Sequence, residues 1–194
     1  MASTARLTEA HRRELEEALS RYLADDPEEL GKENRLLQEL PPRFQAAGRI
    51  DRKEDFIEIV RWKASRQTGH AADNSAAKIR KVTEGAFASA SKGQVVEAVD
   101  SLRAPALAGV GTRVATAILL FFDSNRFTVL DKLAWRSLVH LRVLDAFECW
   151  FEEPEDFPHY LDACHQLASW FRHNLRKTDR ALWQLASDGG GTNV

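Results

Sequence analysis

Two short stretches of this 194-residue chain carry residues whose types and spacing could do chemistry. In the first, Leu107-Ala108-Gly109-Val110-Gly111 makes a glycine-bounded turn, and Thr112 begins a strongly apolar helix expected to end near Phe122. Glycines remove Cβ atoms where a backbone must approach another surface closely, and the unpaired N–H groups of the following helix's first turn attract an anion. Arg113 falls in that first turn, where the helix dipole disfavours a cation, so its placement is unfavourable unless an external phosphate or base compensates it. DNA phosphate is the natural anion. The second stretch is Asp131-Lys132, with Asp131 eighteen residues after Arg113. A helix of eleven residues rises about 16 Å, and the loop 123–130 can then return the chain to the level of the turn. Asp131 would stand there at the start of a helix carrying Leu133, Trp135, Leu138 and Val139, as a candidate catalytic carboxylate. Taken singly, a GxG before a helix can be a plain hairpin turn and Asp131 an N-cap; the separation between them is what joins the two.

The elements that must position these residues read as all-α. Alternating β-branched runs bounded by Asn-Gly or Asp-Gly turns do not occur, whereas apolar residues recur at spacings of three and four. Thr8 and His11 open a first helix with Leu15, Ala18, Leu19, Tyr22 and Leu23 on its apolar side, ended by Asp26-Pro27. A short helix is expected over 28–39, followed by a connector punctuated by Pro41, Pro42 and Gly48. Asp51 is expected to cap a helix carrying Phe56, Ile59, Val60 and Lys63 and running to about Arg66. The segment QTGHAADNS reads as turn, after which Asn74 or Ser75 starts a helix through Ile79, Val82, Ala86 and Phe87. Across Ser91-Lys92-Gly93 follows another with Val95, Val96, Val99 and Leu102. Tyr160, Cys164, Leu167, Ala168 and Phe171 form a further stripe, Thr178 is expected to cap a last helix presenting Leu182, Trp183 and Leu185, and the tail 188–194 should fray.

Composition bounds the rest. With 44% apolar and 29% charged residues the chain is that of an ordinary globular protein, which excludes disorder and collagen. The longest apolar stretch, Val114 to Phe122 interrupted by Thr116, falls far short of the roughly 20 residues that cross a bilayer, and no charged-then-apolar leader opens the chain. A cytoplasmic protein is expected, associated with the nucleoid if bacterial. The 27 Lys and Arg against 29 Asp and Glu give a net charge of −2, so no global field draws the protein to nucleic acid. Charge is unevenly spread, however. Residues 113–142 hold Arg113, Arg126, Lys132, Arg136 and Arg142 against only Asp123 and Asp131, whereas 145–156 hold acids and no base. Cys149 and Cys164 supply neither a CxxC pair nor the four thiolates of an iron–sulfur cluster, and are expected to be buried free thiols. His159, His165 and His173 lack the i, i+4 spacing of a helical zinc site.

On these residues, the stretch from Ser101 to Leu138 resembles the helix-hairpin-helix DNA glycosylases. LAGVGTRVATAILLFF resembles the family's hairpin, typically LPGVGxxTA, and FTVLDKLAWRSL resembles its Asp-bearing loop and helix, typically VPVDxxVxR. Upstream, DFIEIVRWKASRQT is similar to a family helix ending in QQT, matching at Gln67 and Thr68 with Arg66 in place of the first Gln. Residues 1–48 and 145–194 match only in being helical. The resemblance implies a two-lobed helical bundle with a cleft between the lobes. One lobe would comprise 1–48 with 132–187, and the other 49–131 with the hairpin at about 101–123. The implied partner of this protein, expected to be a monomer, is double-stranded DNA containing a damaged or modified base, whose nucleotide turns out of the duplex into the cleft.

In that family Asp131 would be the carboxylate that stabilises positive charge on the sugar as the N-glycosidic bond breaks and that orients or deprotonates the attacking water. Gly109, Gly111, Thr112, Arg113 and Lys132 would contact DNA. Trp62, Lys63, Arg66 and Gln67 would line the base pocket, with Trp62 stacking on the extruded base. The resemblance requires no cofactor, implies a monovalent cation (Na or K) at the carbonyls of Pro105, Leu107 and Val110, and gives no iron–sulfur cluster. Ala108 departs from the usual hairpin proline, and Val129-Leu130 from the usual Pro-Val. Arg113 stands where bifunctional members carry a nucleophilic lysine, and arginine stays protonated. The expected enzyme is therefore monofunctional, leaving an intact strand with an abasic site, and Lys132 and Lys63 are the two residues able to replace the missing amine. The rival readings are a non-catalytic helix-hairpin-helix DNA-binding module and a helical interaction scaffold, the latter leaving the glycines and Arg113 unexplained.

Overall fold

In the computed structural model, the residues described are 7–22, 24, 26–145 and 153–189. Regular structure among them is entirely helical: α1 (Glu9–Arg21), α2 (Pro27–Ala47), α3 (Lys53–Ala64), a 3₁₀ turn (Ser65–Gln67), α4 (Thr68–Ala72), α5 (Ala76–Ser91), α6 (Val95–Leu102), α7 (Thr112–Phe122), α8 (Lys132–His140), α9 (Asp156–Phe171) and α10 (Leu175–Ser187). Local chemistry explains most of the starts. The Thr8 hydroxyl and the His11 ring form a reciprocal capping box, Asp26 accepts from the Glu29 N–H ahead of Pro27, Ser75 accepts from Lys78 and Asn174 from Lys177. No helix of the described residues is long and apolar enough to cross a membrane.

Several boundaries differ from the sequence expectation. Pro41 and Pro42 do not form a connector but lie inside α2, which continues to Ala47 and ends on Gly48 in the left-handed conformation (φ +67°). An interior proline costs about 3 kcal/mol, yet Leu36, Leu40 and Phe44 occupy one face across the prolines and are buried. Each such side chain contributes about 1.5–3 kcal/mol when removed from water, so keeping them in register outweighs the break. Asp51 caps nothing: its carboxylate instead pairs with Arg49 at 2.7 Å, and α3 starts at Lys53. α3 ends at Ala64 rather than Arg66, and part of the segment read as turn forms α4. Thr178 lies within α10, where its hydroxyl donates to the Asn174 carbonyl at 3.1 Å, and Asn174 is the cap. Leu23, Cys149, Trp150 and the tail beyond Gly189 lie outside the described residues. Cys164 is a buried free thiol.

Buried apolar side chains from α1 to α10 form one continuous cluster. α7 runs through it with every residue except Arg113 buried, packed against α2, α3, α5 and α6. α10 packs against α1, α8 and α9. The loop after α7 is held along its length. The Arg126 guanidinium donates to the Ala90 carbonyl at 2.8 Å, and the Thr116 hydroxyl, midway along α7, accepts from the Leu130 N–H at 3.0 Å. Thus the residue before Asp131 is fixed against the middle of α7.

A buried charge network ties the ends of the chain together. Glu33, wholly buried on α2, accepts from the Tyr22 hydroxyl at 2.8 Å, from Arg176 Nε at 2.9 Å and from Arg180 Nε at 2.8 Å. Arg176 also pairs with Asp179 and lies over the Trp62 ring. Burial pushes the Glu33 carboxyl up, but the two guanidinium groups outweigh it and hold it below its usual value. Removing one member of such a network leaves uncompensated buried charge. Glu33→Leu should therefore lower stability by about 3–5 kcal/mol in urea unfolding, and a loss below about 1 kcal/mol would contradict a structural role for the network.

Candidate active site

The turn between α6 and α7, residues 103–111, is closed by its own backbone. Ala104 N–H donates to the Val110 carbonyl at 2.9 Å, and Ala106 N–H to that of Arg103 at 2.8 Å. It is also clamped from behind by Asn74, whose place in the sequence offers only a possible helix cap. The buried Asn74 side chain accepts from the Ala108 N–H at 2.9 Å and donates to the Ala108 carbonyl at 3.0 Å and the Ala71 carbonyl at 3.0 Å. Gly109 has φ +78°, and a Cβ there would sit 2.9 Å from both the Ala71 nitrogen and the Gln67 carbonyl oxygen. Only glycine allows that approach of α4 to the turn. Gly111 differs, since a Cβ on it would meet nothing within 4 Å.

The three carbonyls offered for a monovalent cation already accept hydrogen bonds. Pro105 accepts from Lys78 Nζ at 3.3 Å, Leu107 from the Val110 N–H at 3.3 Å and Val110 from the Ala104 N–H at 2.9 Å. Each carbonyl oxygen keeps a second lone pair, and the Pro105 contact is made by an exposed lysine side chain.

Asp131 has two roles built into one side chain. Oδ1 accepts from the Leu133 N–H at 2.9 Å and caps α8, while Oδ2 accepts from Lys63 Nζ at 2.6 Å. The N-cap reading and the catalytic reading therefore concern different oxygens. Both side chains are largely covered, 15% exposed for Lys63 and 16% for Asp131. Burial pushes the Asp131 carboxyl up, but the Lys63 ammonium, the Leu133 N–H and the charge of Arg113 together hold it below the usual carboxylate value.

These groups border a cavity of about 790 Å³. Its walls include Lys63, Arg66, Gln67, Arg103, Arg113 and Asp131 together with the backbone of Gly109–Thr112, four cations to one acid. Of the expected site residues, the fold brings together Lys63, Arg66, Gln67, Gly109, Gly111, Thr112, Arg113 and Asp131. It does not bring in Trp62 or Lys132. The half-buried Trp62 ring lies edge-on to Phe121 at 5.1 Å and under the Arg176 guanidinium at 5.5 Å, outside the cavity lining. Successive helical residues point about 100° apart, and on α3 it is Lys63 that faces the cavity. Lys132 is exposed and outside the lining. Arg103, at the end of α6, was not anticipated. Comparison with models of known families, with curated proteins and with solved structures finds no match, so the chemistry must be argued from this geometry.

Because folding lowers the Asp131 pKa, the stabilisation its charge supplies is present above the ordinary value near ~3.9 and lost as pH falls through the lower folded value. Lys63→Met should move the Asp131 carboxyl titration upward in NMR. An unmoved midpoint would mean that the pair does not form in solution.

Proposed function

We propose that the protein is a DNA glycosylase that hydrolyses the N-glycosidic bond of a damaged or modified base turned out of duplex DNA. The observation that carries this reading is the placement of one ionised carboxylate, Asp131, in the same concave site as the N-terminal turn of α7 and a set of cationic side chains. In this reading α6, the turn 103–111 and α7 form a helix-hairpin-helix. Its first-turn N–H groups, with Gly111 leaving the approach clear and the exposed Arg113 beside them, take a backbone phosphate, and Thr112 and Lys132 contribute from the flanks. The extruded base enters the cavity itself, whose lining residues all fall within 49–131, the part of the chain that carries the hairpin. Arg66 and Gln67 face the extruded base, while Arg103, at the same wall, is ion-paired with Asp100 and Glu153 at 3.6 Å each.

The chemistry follows from charge. As the base leaves, the sugar becomes cationic at C1′, and a carboxylate whose pKa is lowered is still ionised at neutral pH to stabilise it. Its free lone pairs then orient water onto that carbon, so base release itself is hydrolytic. The hairpin offers Arg113 instead of an amine, and arginine does not deprotonate to act as a nucleophile. A non-catalytic DNA-binding module would need Asp131 only as the cap of α8. A cap has no use for the second oxygen, which faces Lys63 at the cavity wall.

Asp131→Asn keeps a side chain able to cap α8 while removing the charge. It should reduce base release by at least about 10² with fold and DNA affinity nearly unchanged; retained release in that variant would overturn the assignment. Gly111→Asp places a carboxylate in open space at the proposed phosphate site, and should weaken binding to every DNA sequence tested. A folded Gly111→Asp protein with unchanged affinity would remove the turn from the interface.

A further inference from the structure

We propose that the cavity is specific for a base that departs as an anion, and that Arg66 meets the negative charge such a base acquires as its bond to the sugar breaks. This rests on the glycosylase reading and deepens it: among modified bases, the site selects those that are neutral in the duplex over cationic alkylated purines.

The charges of the wall carry the inference. Of its four cations, Lys63 is matched by Asp131 at 2.6 Å, and Arg103 by Asp100 and Glu153 at 3.6 Å each. Arg113 stands in the first turn of α7, at the proposed phosphate site, and its charge already bears on Asp131. Arg66 is the cation left over. It is exposed at the wall, and its guanidinium makes no ion pair or hydrogen bond with any described residue. α3 ends between Lys63 and Arg66, and the 3₁₀ turn carries Arg66 onward along the same wall. Three residues of chain span at most about 10 Å, so the long side chain at 66 reaches a base whose sugar stands at the Lys63–Asp131 pair. The second observation is the character of the remaining wall: none of the described residues that line it is aromatic. A cationic base is held by π faces or by negative charge. This wall offers no π face, and its single carboxylate is already matched by Lys63.

The sign of the charge on the departing base decides what the wall can do. When the bond between C1′ and the base nitrogen breaks, its electron pair stays on the base. A base that is neutral in the duplex therefore departs as an anion, whereas a purine alkylated at N7 or N3, cationic in the duplex, departs neutral. Only the first needs positive charge at the base end of the breaking bond. Arg66 supplies it by charge and N–H donation without giving up a proton, because a guanidinium stays protonated. Asp131 faces the sugar cation and Arg66 the base anion, so each charge that develops across the bond meets a fixed opposite charge. The oxygen of one water bonds to C1′ and releases its proton to solvent, and the departed anion takes a proton from solvent. For a cationic base the same guanidinium opposes binding and has no developing negative charge to stabilise.

The test uses the full chain in excess over duplex, with released base measured by chromatography. One set of duplexes carries uracil, 5-hydroxyuracil, 5-hydroxymethyluracil or 8-oxoguanine, all of which depart as anions. The other is a methylated duplex carrying N7-methylguanine and N3-methyladenine. The expected result is release of at least one base of the first set, and of neither methylated purine above the rate without protein. Arg66→Gln keeps an N–H donor but removes the charge, and should slow that release by about tenfold or more at saturating protein. Release of a methylated purine above the protein-free rate would overturn the proposal and leave the glycosylase reading standing, as would undiminished release of the other base in Arg66→Gln. The comparison of the two sets with the wild-type chain keeps the outcome decisive should the variant fold poorly. Failure to release base from either set would instead remove the glycosylase reading on which the proposal rests.

Discussion

A helix that is apolar on every side can offer solvent only its ends, and α7 is such a helix. Nothing on it but Arg113 escapes burial, so the surrounding helices must cover it completely and its N-terminal turn becomes the place where its polarity can be used. The arrangement of the site follows from that constraint. α2, α3, α5 and α6 pack around α7, the turn from α6 brings the chain to its N-terminus, and the buried Thr116 hydroxyl in its middle fixes the returning strand of chain just before Asp131. The carboxylate and the helix end are thereby set at one level by a single rigid core element.

Asp131 then links that element to its neighbours. One oxygen holds the start of α8, and the other holds Lys63 at the end of α3. Behind α3, Trp62 meets Arg176, which belongs to the buried network of Glu33, Tyr22, Asp179 and Arg180. The charged groups of the cavity are thus backed by a second, largely buried set of charges centred on the wholly buried Glu33. Fixed dipoles and charges of this kind need no rearrangement when charge develops in a reaction, which is the property a site for sugar-cation chemistry requires.

The parts of this arrangement that were legible in the sequence are those set by nearby residues. The extent of α7 follows from its glycine turn and apolar run, and Asp131 as the cap of α8 and Ser75 as the cap of α5 follow from their own positions. Pro41 and Pro42 misled because their local cost is visible while the burial of Leu36, Leu40 and Phe44 that outweighs it depends on partners far along the chain. The same holds for the pairing of Lys63 with Asp131 and the clamp of Asn74 on Ala108, which join residues distant in sequence. Trp62 and Lys63 are adjacent, and which of them faces the cavity depends on the rotation of α3 against α7, a packing outcome that composition and spacing do not specify.

We propose that this cavity breaks the bond between a base and its sugar. The most direct measurement is chromatography of the small-molecule fraction after the wild-type protein meets duplexes carrying oxidised, alkylated, deaminated or hypermodified bases. Free base should accumulate from at least one of these duplexes and not from its unmodified counterpart. Salt-sensitive binding to the same duplexes with no free base from any of them would contradict it, and would mark the protein as a DNA-binding module without catalysis.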